Sequence, residues 1–248
     1  MDRLLQATAR AERDHFWFKG FRRFMAPLVT EAVHGRSGSR ILDCGCGTGH
    51  NLGWLRDFGA VFGIDLNWTG LGFARTRGNT TIAQATAASL PFSDRTFDLV
   101  TSFDVIYSLD DEIEQAAIAE MFRVLRPGGF LVVNAAAMDL LKGNHSVLAN
   151  EVRRYSRSSL TERLARAGFV IRRISYTNAT IMPVVATVRL LQRVSGHEES
   201  HQEISIPPAP INAALTGALA VEATLLRFMN MPFGSSIMAM AQKPEGGV

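Results

Sequence analysis

The feature that most constrains this chain is an apolar segment that ends at an acid and then turns through alternating glycines. Residues 40–52 read RILDCGCGTGHNL, with the acid at Asp43, and a second apolar segment, VFGID, ends at Asp65. Glycine lets the backbone approach a ligand closely, and a carboxylate at the end of the second strand suits a ribose diol. The pattern therefore predicts a nucleotide-binding crevice built from a strand, a glycine turn and a helix.

The glycine spacing departs from the dinucleotide fingerprint, which requires Gly-x-Gly-x-x-Gly or Ala. Gly45 and Gly47 match the first two glycines, but His50 occupies the third position and Gly49 falls one position early. A bulky imidazole is unsuited to a position where the helix packs tightly on the strand. A dinucleotide-dependent oxidoreductase is therefore an alternative that the motif itself disfavours.

Four segments together resemble the Rossmann-like, class I S-adenosylmethionine-dependent methyltransferases. The acid and glycines of residues 43–49 are similar to motif I of that family. Residues 89–109, 120–133 and 160–176 resemble its adenine-side loop with the fourth strand, its fifth helix and strand, and its last helix with the sixth strand. The resemblance covers roughly residues 38–178 and includes a bacterial small-molecule subgroup. It implies S-adenosylmethionine as the cofactor and methyl transfer as the reaction.

The hydrophobic pattern predicts an α/β fold. Residues 3–34 read as helical, with a break before Pro27. Strands are expected at 40–44, 60–65, 80–86, 97–103, 129–135 and 169–176, and helices at 48–58, 67–77, 111–126 and 158–167. Strand–helix alternation predicts a doubly wound parallel sheet. The resemblance implies seven strands, with the last antiparallel and formed by residues 235–244.

This pattern divides the chain into an N-terminal helical cap, residues 1–37, and a Rossmann-like domain, residues 38–248. Residues 179–231 form an insertion before the last strand, with two apolar helical stretches at 181–194 and 211–228. The longer stretch is short for a membrane span and contains an acid. We expect a lid over the substrate or a contact between subunits, with a membrane-surface contact as the alternative.

The resemblance assigns the cofactor contacts residue by residue. The backbone of Cys44, Gly45 and Gly47 is expected to meet the methionine part and the ribose, while Asp43 orients the turn or receives the ammonium. Asp65 would accept both ribose hydroxyls, because an ionised acceptor forms strong hydrogen bonds.

Further contacts are expected around the adenine and the methionine tail. Leu66 would flank the adenine, and Thr86 with Ala87 would meet its edge. Thr86 stands where the family commonly has an acid, so this contact is weaker than usual. Asp104 would bind the ammonium or, alternatively, cap a helix. Trp17 serves either as a lid over the cofactor or as a core residue.

Three residues are candidates for catalysis. His145 is the candidate base, and Tyr107 or Tyr155 would orient the nucleophile. An imidazole titrates near neutral pH and can accept a proton as the methyl group moves. Arg154 and Tyr155 alternatively pair with Glu151 and stabilise the loop. The bacterial subgroup that this segment resembles carries two histidines here, but Glu151 stands at the second histidine position of this chain, so no metal is expected.

Composition narrows the choice of partners. The formal net charge is +3 and the two cysteines lie in the glycine turn. The sequence lacks the stripe of Lys and Arg interleaved with aromatic residues that would predict nucleic-acid binding. The charged N-terminus does not resemble a signal peptide. We expect a cytoplasmic protein, a monomer or homodimer, that methylates a small, partly apolar molecule. A cofactor-binding partner subunit without catalysis remains an alternative.

Overall fold

The computed structural model describes residues 2–138, 151–183 and 206–246. Within these residues the helices are α1 (Asp2–Ala11), α2 (Phe16–Val33), α3 (His50–Leu55), α4 (Trp68–Thr76), α5 (Asp111–Val124), α6 (Arg157–Arg166) and α7 (Ala209–Leu225). A short 3-10 helix covers Ile106–Ser108. The strands are β1 (Arg40–Cys44), β2 (Ala60–Asp65), β3 (Ile82–Gln84), β4 (Phe97–Phe103), β5 (Leu125–Ala136), β6 (Val170–Thr177) and β7 (Ser236–Gln242).

The strands form one seven-stranded sheet in the order β3-β2-β1-β4-β5-β7-β6. The pairs among β1 to β5 are parallel, whereas β7 runs antiparallel to both β5 and β6. The predicted α/β sheet with an antiparallel last strand is confirmed. The strand order reverses between β1 and β4, and sheets of this type bind their ligands in the crevice beyond the carboxyl ends of the strands there.

The first helical region differs from the prediction. The chain breaks before His15, whose ring Nδ1 caps α2 by accepting a backbone amide at 3.2 Å. Helix α2 then continues through Pro27, so the predicted break there is wrong. Proline removes one intrahelical hydrogen bond, but Met25 and Leu28 are fully buried on the same helix. Packing of this apolar face outweighs the missing bond.

Some boundaries of strands and helices also differ from the predicted ones. β3 is shorter than the predicted residues 80–86, and α5 ends at Val124, so that β5 starts at Leu125. Leu125 pairs with Phe97 ahead of a register shift in the β4–β5 pair. The Pro-Gly-Gly stretch at the junction of the predicted helix and strand is thus part of an irregular strand.

Alternate residues of the strands supply two apolar cores. Ile41 and Leu99 face a core shared with α2, α3 and α7, while Leu42 and Val100 face a core shared with α5 and α6. A Cβ at Gly20 of α2 would lie 2.3 Å from Cδ1 of Leu219, so α7 is pressed directly onto α2. Both helices therefore cover the sheet face on which the first core lies.

Helix α7 belongs to the predicted insertion between β6 and β7. The other predicted helix of the insertion, residues 181–194, lies mostly outside the described residues. Among the described residues, no helix has the length and apolar character needed to cross a membrane.

Candidate cofactor and active site

The turn after β1 is a backbone-lined cradle. Its φ angles are positive, +83° at Gly45 and +50° at Gly47. A Cβ at Gly45 would lie 2.2 Å from Cγ2 of Val105, so a side chain cannot fit there. A Cβ at Gly47 would instead lie at ordinary van der Waals distance from Leu5 Cδ2, at 3.9 Å, and from Asp65 Oδ2, at 4.0 Å. The turn at Gly47 is thus bordered by α1 and by the end of β2, without a close contact to either.

Asp65 connects the end of β2 to this turn. Its Oδ2 accepts from the amide of Gly47 and its Oδ1 from the amide of Asn67, both at 2.7 Å. Burial raises the pKa of Asp65, and the backbone hydrogen bonds oppose that rise. The amide of Leu66 donates to the carboxylate as well, and the acceptor sites that remain can receive ribose hydroxyls.

Asp43 lies beneath the turn and is 1% exposed. Its Oδ1 accepts from the hydroxyl of Thr101 at 2.7 Å, whereas its Oδ2 has no hydrogen-bond partner among the described residues. Burial raises the pKa of Asp43 to about 7, although the Thr101 bond lowers it; nearby Asp65 raises it further. A buried carboxylate oxygen without a donor is suited to a cationic group.

Helix α1 closes one side of the crevice. The side chain of Glu12, which is buried, accepts from the hydroxyl of Thr48 at 2.7 Å and forms an ion pair with Arg77. Arg77 also donates to the carbonyl of Ala9 at 3.2 Å. These contacts hold the N-terminal helix against the glycine turn.

Leu66 and Thr86 flank the exposed end of β2. Leu66 is 69% exposed, directly after Asp65. The hydroxyl of Thr86 accepts from the amide of Ala88 at 3.2 Å, and Ala87 is half-buried beside it. An exposed leucine next to a carboxylate is compatible with the adenine contact expected of Leu66. The contacts of Thr86 and Ala87 stay predictions.

Asp104 follows β4 with a φ of +60°, which is uncommon for a residue other than glycine. Its Oδ1 accepts from Nδ2 of Asn134 at 2.8 Å. Burial raises the pKa of Asp104 to about 7; the Asn134 bond lowers it and the charge of Glu151 raises it. The alternative of a helix cap is wrong, because Val105 precedes the 3-10 helix and Asp110 caps α5.

The turn that follows Asp104 is joined to residues 151–155. The carbonyl of Tyr107 accepts from the amides of Val152 and Arg153 at 2.9 and 3.2 Å. Burial raises the pKa of the Tyr107 phenol, and the charges of Asp104 and Glu151 add to this rise. The phenol is therefore protonated at neutral pH, where it can donate a hydrogen bond but cannot act as a base.

Tyr155 occupies a different environment from the one predicted. It is 1% exposed, and its hydroxyl donates to Oε1 of Glu114 at 2.5 Å. Glu114 also pairs with Arg153 and Arg163. Because this hydroxyl is engaged in the core, the structure gives Tyr155 a structural role in place of the predicted catalytic one. Tyr107 stays the candidate.

Arg154 pairs with Glu151, as the alternative interpretation had it. Its Nε and Nη2 lie 2.9 and 2.8 Å from Glu151 Oε2, and Nη1 donates to the carbonyl of Ala137 at 3.0 Å. His145, the candidate base, lies outside the described residues. The pair fixes the segment that follows His145 in the chain.

An aromatic cluster on α2 borders the carboxyl ends of β1 and β4. Trp17 stacks on Phe21 with ring centroids 5.4 Å apart, and Phe21 meets Phe103, the last residue of β4, at 5.1 Å. Phe18 contacts His50, at the start of α3, at 6.4 Å. Trp17 is half-buried, which suits either a core residue or an apolar wall beside the cofactor.

The two cysteines of the turn are buried and free. Burial raises the pKa of both Cys44 and Cys46, so they are protonated thiols. Among the described residues no group of three His, Cys, Asp or Glu side chains is placed to hold a metal ion.

Comparison with known proteins connects this geometry to a family. Residues 42–133 match the family model of the methyltransferase domain. The chain is 31% identical over 162 residues to a probable S-adenosylmethionine-dependent methyltransferase of Mycolicibacterium smegmatis, which covers 64% of this chain and 61% of the relative. Residues 42–133 thus carry a methyltransferase domain, and the chain is similar to S-adenosylmethionine-dependent methyltransferases.

Two further similarities accompany this methyltransferase assignment. A ubiquinone/menaquinone biosynthesis C-methyltransferase of Shewanella halifaxensis is 32% identical over 148 residues, 55% of this chain and 57% of that protein. The matches thus span less than two thirds of each relative. A chain from the complex of the Haloferax volcanii Trm112 methyltransferase activator with a methyltransferase has the same fold, with a TM-score of 0.63 at 19% identity over 98% of this chain and 96% of that one.

The residues of this methyltransferase fit the family's cofactor, S-adenosylmethionine. The ligand carries an ammonium, a sulfonium and a ribose diol. The orphaned Oδ2 of Asp43 suits a cation, and the remaining acceptor sites of Asp65 suit the diol. The expected cofactor is therefore confirmed, whereas the individual contacts stay predictions.

Sequence reasoning missed several residues of this methyltransferase site. Glu12 reads as a solvated acid on a helix, and nothing in the pattern shows that Thr48 and Arg77 bury it. Asn134, the partner of Asp104, reads only as the polar end of an apolar strand. Glu114 lies 41 positions from Tyr155, so no local spacing links them.

Proposed function

We propose that this chain transfers a methyl group from S-adenosylmethionine to a small, partly apolar acceptor. The observation that carries the proposal is the cradle at Gly47, bounded by Asp65 and lying above the unpartnered Oδ2 of Asp43. One face of this cradle is acidic and the other is formed by α1, so it suits a cationic nucleoside.

The binding roles follow from the chemistry of each group. The backbone of Cys44, Gly45 and Gly47 would contact the methionine part and ribose, and Asp65 would accept the ribose hydroxyls. Leu66 would lie against the adenine, with Thr86 and Ala87 at its edge. Asp43 and Asp104 would face the ammonium, which would favour the ionised form of both carboxyls.

Methyl transfer requires little acid–base chemistry from the chain. The cofactor supplies a methyl group already activated by a positive sulfur. The protein then aligns the acceptor, excludes water and, for a weakly acidic nucleophile, removes a proton. Tyr107 would orient the acceptor by donating a hydrogen bond, and Trp17 would cover the reacting groups.

His145 is our proposed base for an acceptor that must lose a proton. General base catalysis is typically worth about a hundredfold or more. We expect His145→Ala to lose at least about a hundredfold in turnover while it retains cofactor affinity. A loss of less than about threefold would leave alignment and desolvation as the mechanism.

The apolar acceptor is supported by the aromatic cluster of Trp17, Phe18 and Phe21 at the carboxyl ends of β1 and β4. Aromatic side chains beside a methyl donor would bind a planar or apolar acceptor and exclude water. The name of the Shewanella relative specifies quinone biosynthesis, which supports an acceptor of this chemical class.

Methyl-tritiated S-adenosylmethionine tests the function directly. The purified chain would be incubated with it and a bacterial lipid extract, and label would be counted in the organic phase. Transfer that Asp65→Ala reduces at least about tenfold at limiting cofactor would support the proposal. A folded, cofactor-binding protein that transfers no label to organic or aqueous extracts would contradict it.

A second candidate is a cofactor-binding partner subunit without catalysis. It is favoured because several polar side chains near the site are already paired with other side chains. The pairs are Glu151 with Arg154, Asn134 with Asp104, and Glu114 with Tyr155. Label transfer by the chain alone would exclude this candidate. Transfer that requires a protein fraction from the cell would support it.

A further inference from the structure

Helix α7 has an outer surface of unusual character for a water-facing helix. The solvent-exposed residues between Ala209 and Leu225 are all apolar or small except Thr224. Ala214, Gly217, Val221 and Leu225 recur at helical spacing along this surface, which extends past the helix end to Phe228. A surface helix normally carries charged or polar residues on its solvent side.

The one charged residue of α7 faces the opposite direction. Glu222 is fully buried, and its carboxylate accepts from the amides of Ala179 and Thr180 at 3.1 and 2.9 Å. The hydroxyl of Thr180 donates to it as well, at 2.7 Å. The helix therefore directs its charge inward and leaves its solvent-facing side without any.

Large apolar side chains concentrate at the end of this surface. We define the α7 outer face as Ile211, Val221, Leu225, Phe228, Met229 and Phe233, which are 53%, 59%, 42%, 85%, 52% and 44% exposed. Phe228 and Met229 lie in the turn after the helix. Large apolar side chains left exposed along one helix and the segment after it indicate an interaction site.

Basic side chains lie along the edge of the α7 outer face. A surface groove of about 1070 Å³ is lined by residues of both α7 and α2, among them Arg23 and Arg227. Its lining includes the apolar residues Ala26, Pro27 and Ala223 and one acid, Glu31. A third arginine, Arg36, also lines the groove and is paired with Asp98. The arginines that line the groove therefore outnumber its acid.

We propose that the α7 outer face docks on an anionic lipid bilayer. Phe228, Met229 and Phe233 would enter the boundary between headgroups and acyl chains, and Arg23 and Arg227 would contact lipid phosphates. Exposed aromatic and apolar side chains bordered by arginine are the composition of interfacial segments, and each basic residue near an anionic leaflet adds attraction.

The first turn of α7, at the other end of the helix from Phe228, is joined to the start of α2. Asn212, near the first turn of α7, accepts from the amide of Phe16 at 2.9 Å and donates to the carbonyl of Asp14 at the same distance. The aromatic cluster at Trp17 follows directly. Docking itself does not rest on the proposed methyl transfer.

Vesicle co-sedimentation of the full chain tests this proposal. Wild-type protein would be spun with vesicles of phosphatidylcholine alone and of phosphatidylcholine mixed with phosphatidylglycerol, at low and high salt. The test variants are Phe228→Ser and Arg227→Glu. The matched controls are Ile113→Ser, at 42% exposed on α5, and Arg166→Glu, with a side chain 57% exposed on α6. Thermal unfolding of each variant checks its fold.

We expect binding to the mixed vesicles that weakens with salt and falls at least about tenfold in both test variants, while both controls bind like wild type. Equal binding to phosphatidylcholine alone, unchanged in Arg227→Glu, would contradict the anionic partner. A protein that binds neither vesicle would overturn the proposal. If such a protein sediments as a dimer that Phe228→Ser dissociates, the face belongs to a second copy.

Discussion

The amide of Gly47 donates to Oδ2 of Asp65 at 2.7 Å, so the carboxylate that ends β2 holds the turn that follows β1. The same carboxylate holds the first residues after β2 through the amide of Asn67. Two strands are thereby locked at the position where the crevice opens. The carboxylate both shapes the cradle and remains available as an acceptor.

Asp65→Ala should weaken the binding of S-adenosylhomocysteine by about 1.5–3 kcal/mol, the usual worth of hydrogen bonds to a charged group. Calorimetric titration of the folded variant measures this loss. Asp57→Ala is the matched control, because Asp57 has a side chain 68% exposed in a surface ion pair with Arg22. Equal affinities of Asp65→Ala and wild type would mean that the ribose lies elsewhere.

Two alanine substitutions should separate the fold from the cradle. Gly45→Ala would place its Cβ 2.2 Å from Val105 at a φ of +83°, so we expect a large loss of thermal stability. Gly47→Ala meets nothing closer than 3.9 Å, and its φ of +50° costs about 1 kcal/mol. We expect this variant to fold but to lose cofactor affinity, because its methyl group fills the cradle. Undiminished affinity in Gly47→Ala would place the ligand outside the cradle.

Cofactor affinity should rise with pH between about pH 6 and 8. The pKa of Asp43 is about 7, and binding an ammonium requires the ionised carboxylate, so protonation below pH 7 competes with binding by up to about tenfold per pH unit. Titration of S-adenosylhomocysteine at several pH values measures the slope. Asp43→Asn should bind more weakly with a smaller slope, the remainder coming from Asp104, whose pKa is also about 7. A slope unchanged in Asp43→Asn would remove Asp43 from the ammonium site.

The stability of the ligand-free protein should change in the opposite direction. Between pH 4 and 7 the native Asp43 holds a proton that the unfolded chain, with its ordinary value of 3.8, has released. The native state then binds more protons, so the free energy of unfolding falls as pH rises, by up to about 1.4 kcal/mol per pH unit from this group. Denaturant unfolding measures the trend, which Asp43→Asn should reduce.

Tyr155→Phe should lower stability by about 1–2 kcal/mol, because it removes a buried hydrogen bond to Glu114 but leaves both arginines on the carboxylate. Cofactor affinity should be unchanged. Tyr176→Phe is the control, since the Tyr176 hydroxyl accepts one amide hydrogen bond at an exposed position. If Tyr155→Phe is as stable as wild type but its turnover falls a hundredfold, the structural role is wrong and Tyr155 acts in catalysis.

The sequence predicted those parts of the fold whose signals are local. The bounds of β1 and β2 match because each is an apolar run that stops at a polar turn. The continuation of α2 through Pro27 could not be predicted, since it depends on the burial of Met25 and Leu28 in a core that distant strands complete.

Site prediction had the same limit. The glycine turn and Asp65 were recognisable because their spacing in the chain carries the chemistry. The burial of Glu12 against Thr48, and of Tyr155 against Glu114, joins residues separated by 36 and 41 positions. Such pairs follow from tertiary packing, which no short motif records.

Calorimetric titration with S-adenosylhomocysteine and with NAD tests the central claim most directly. If the Gly47 cradle and Asp65 hold the family's cofactor, S-adenosylhomocysteine should bind once per chain at micromolar strength and raise the melting temperature by mass action, and NAD should give no heat. Binding of NAD without any response to S-adenosylhomocysteine would contradict the account.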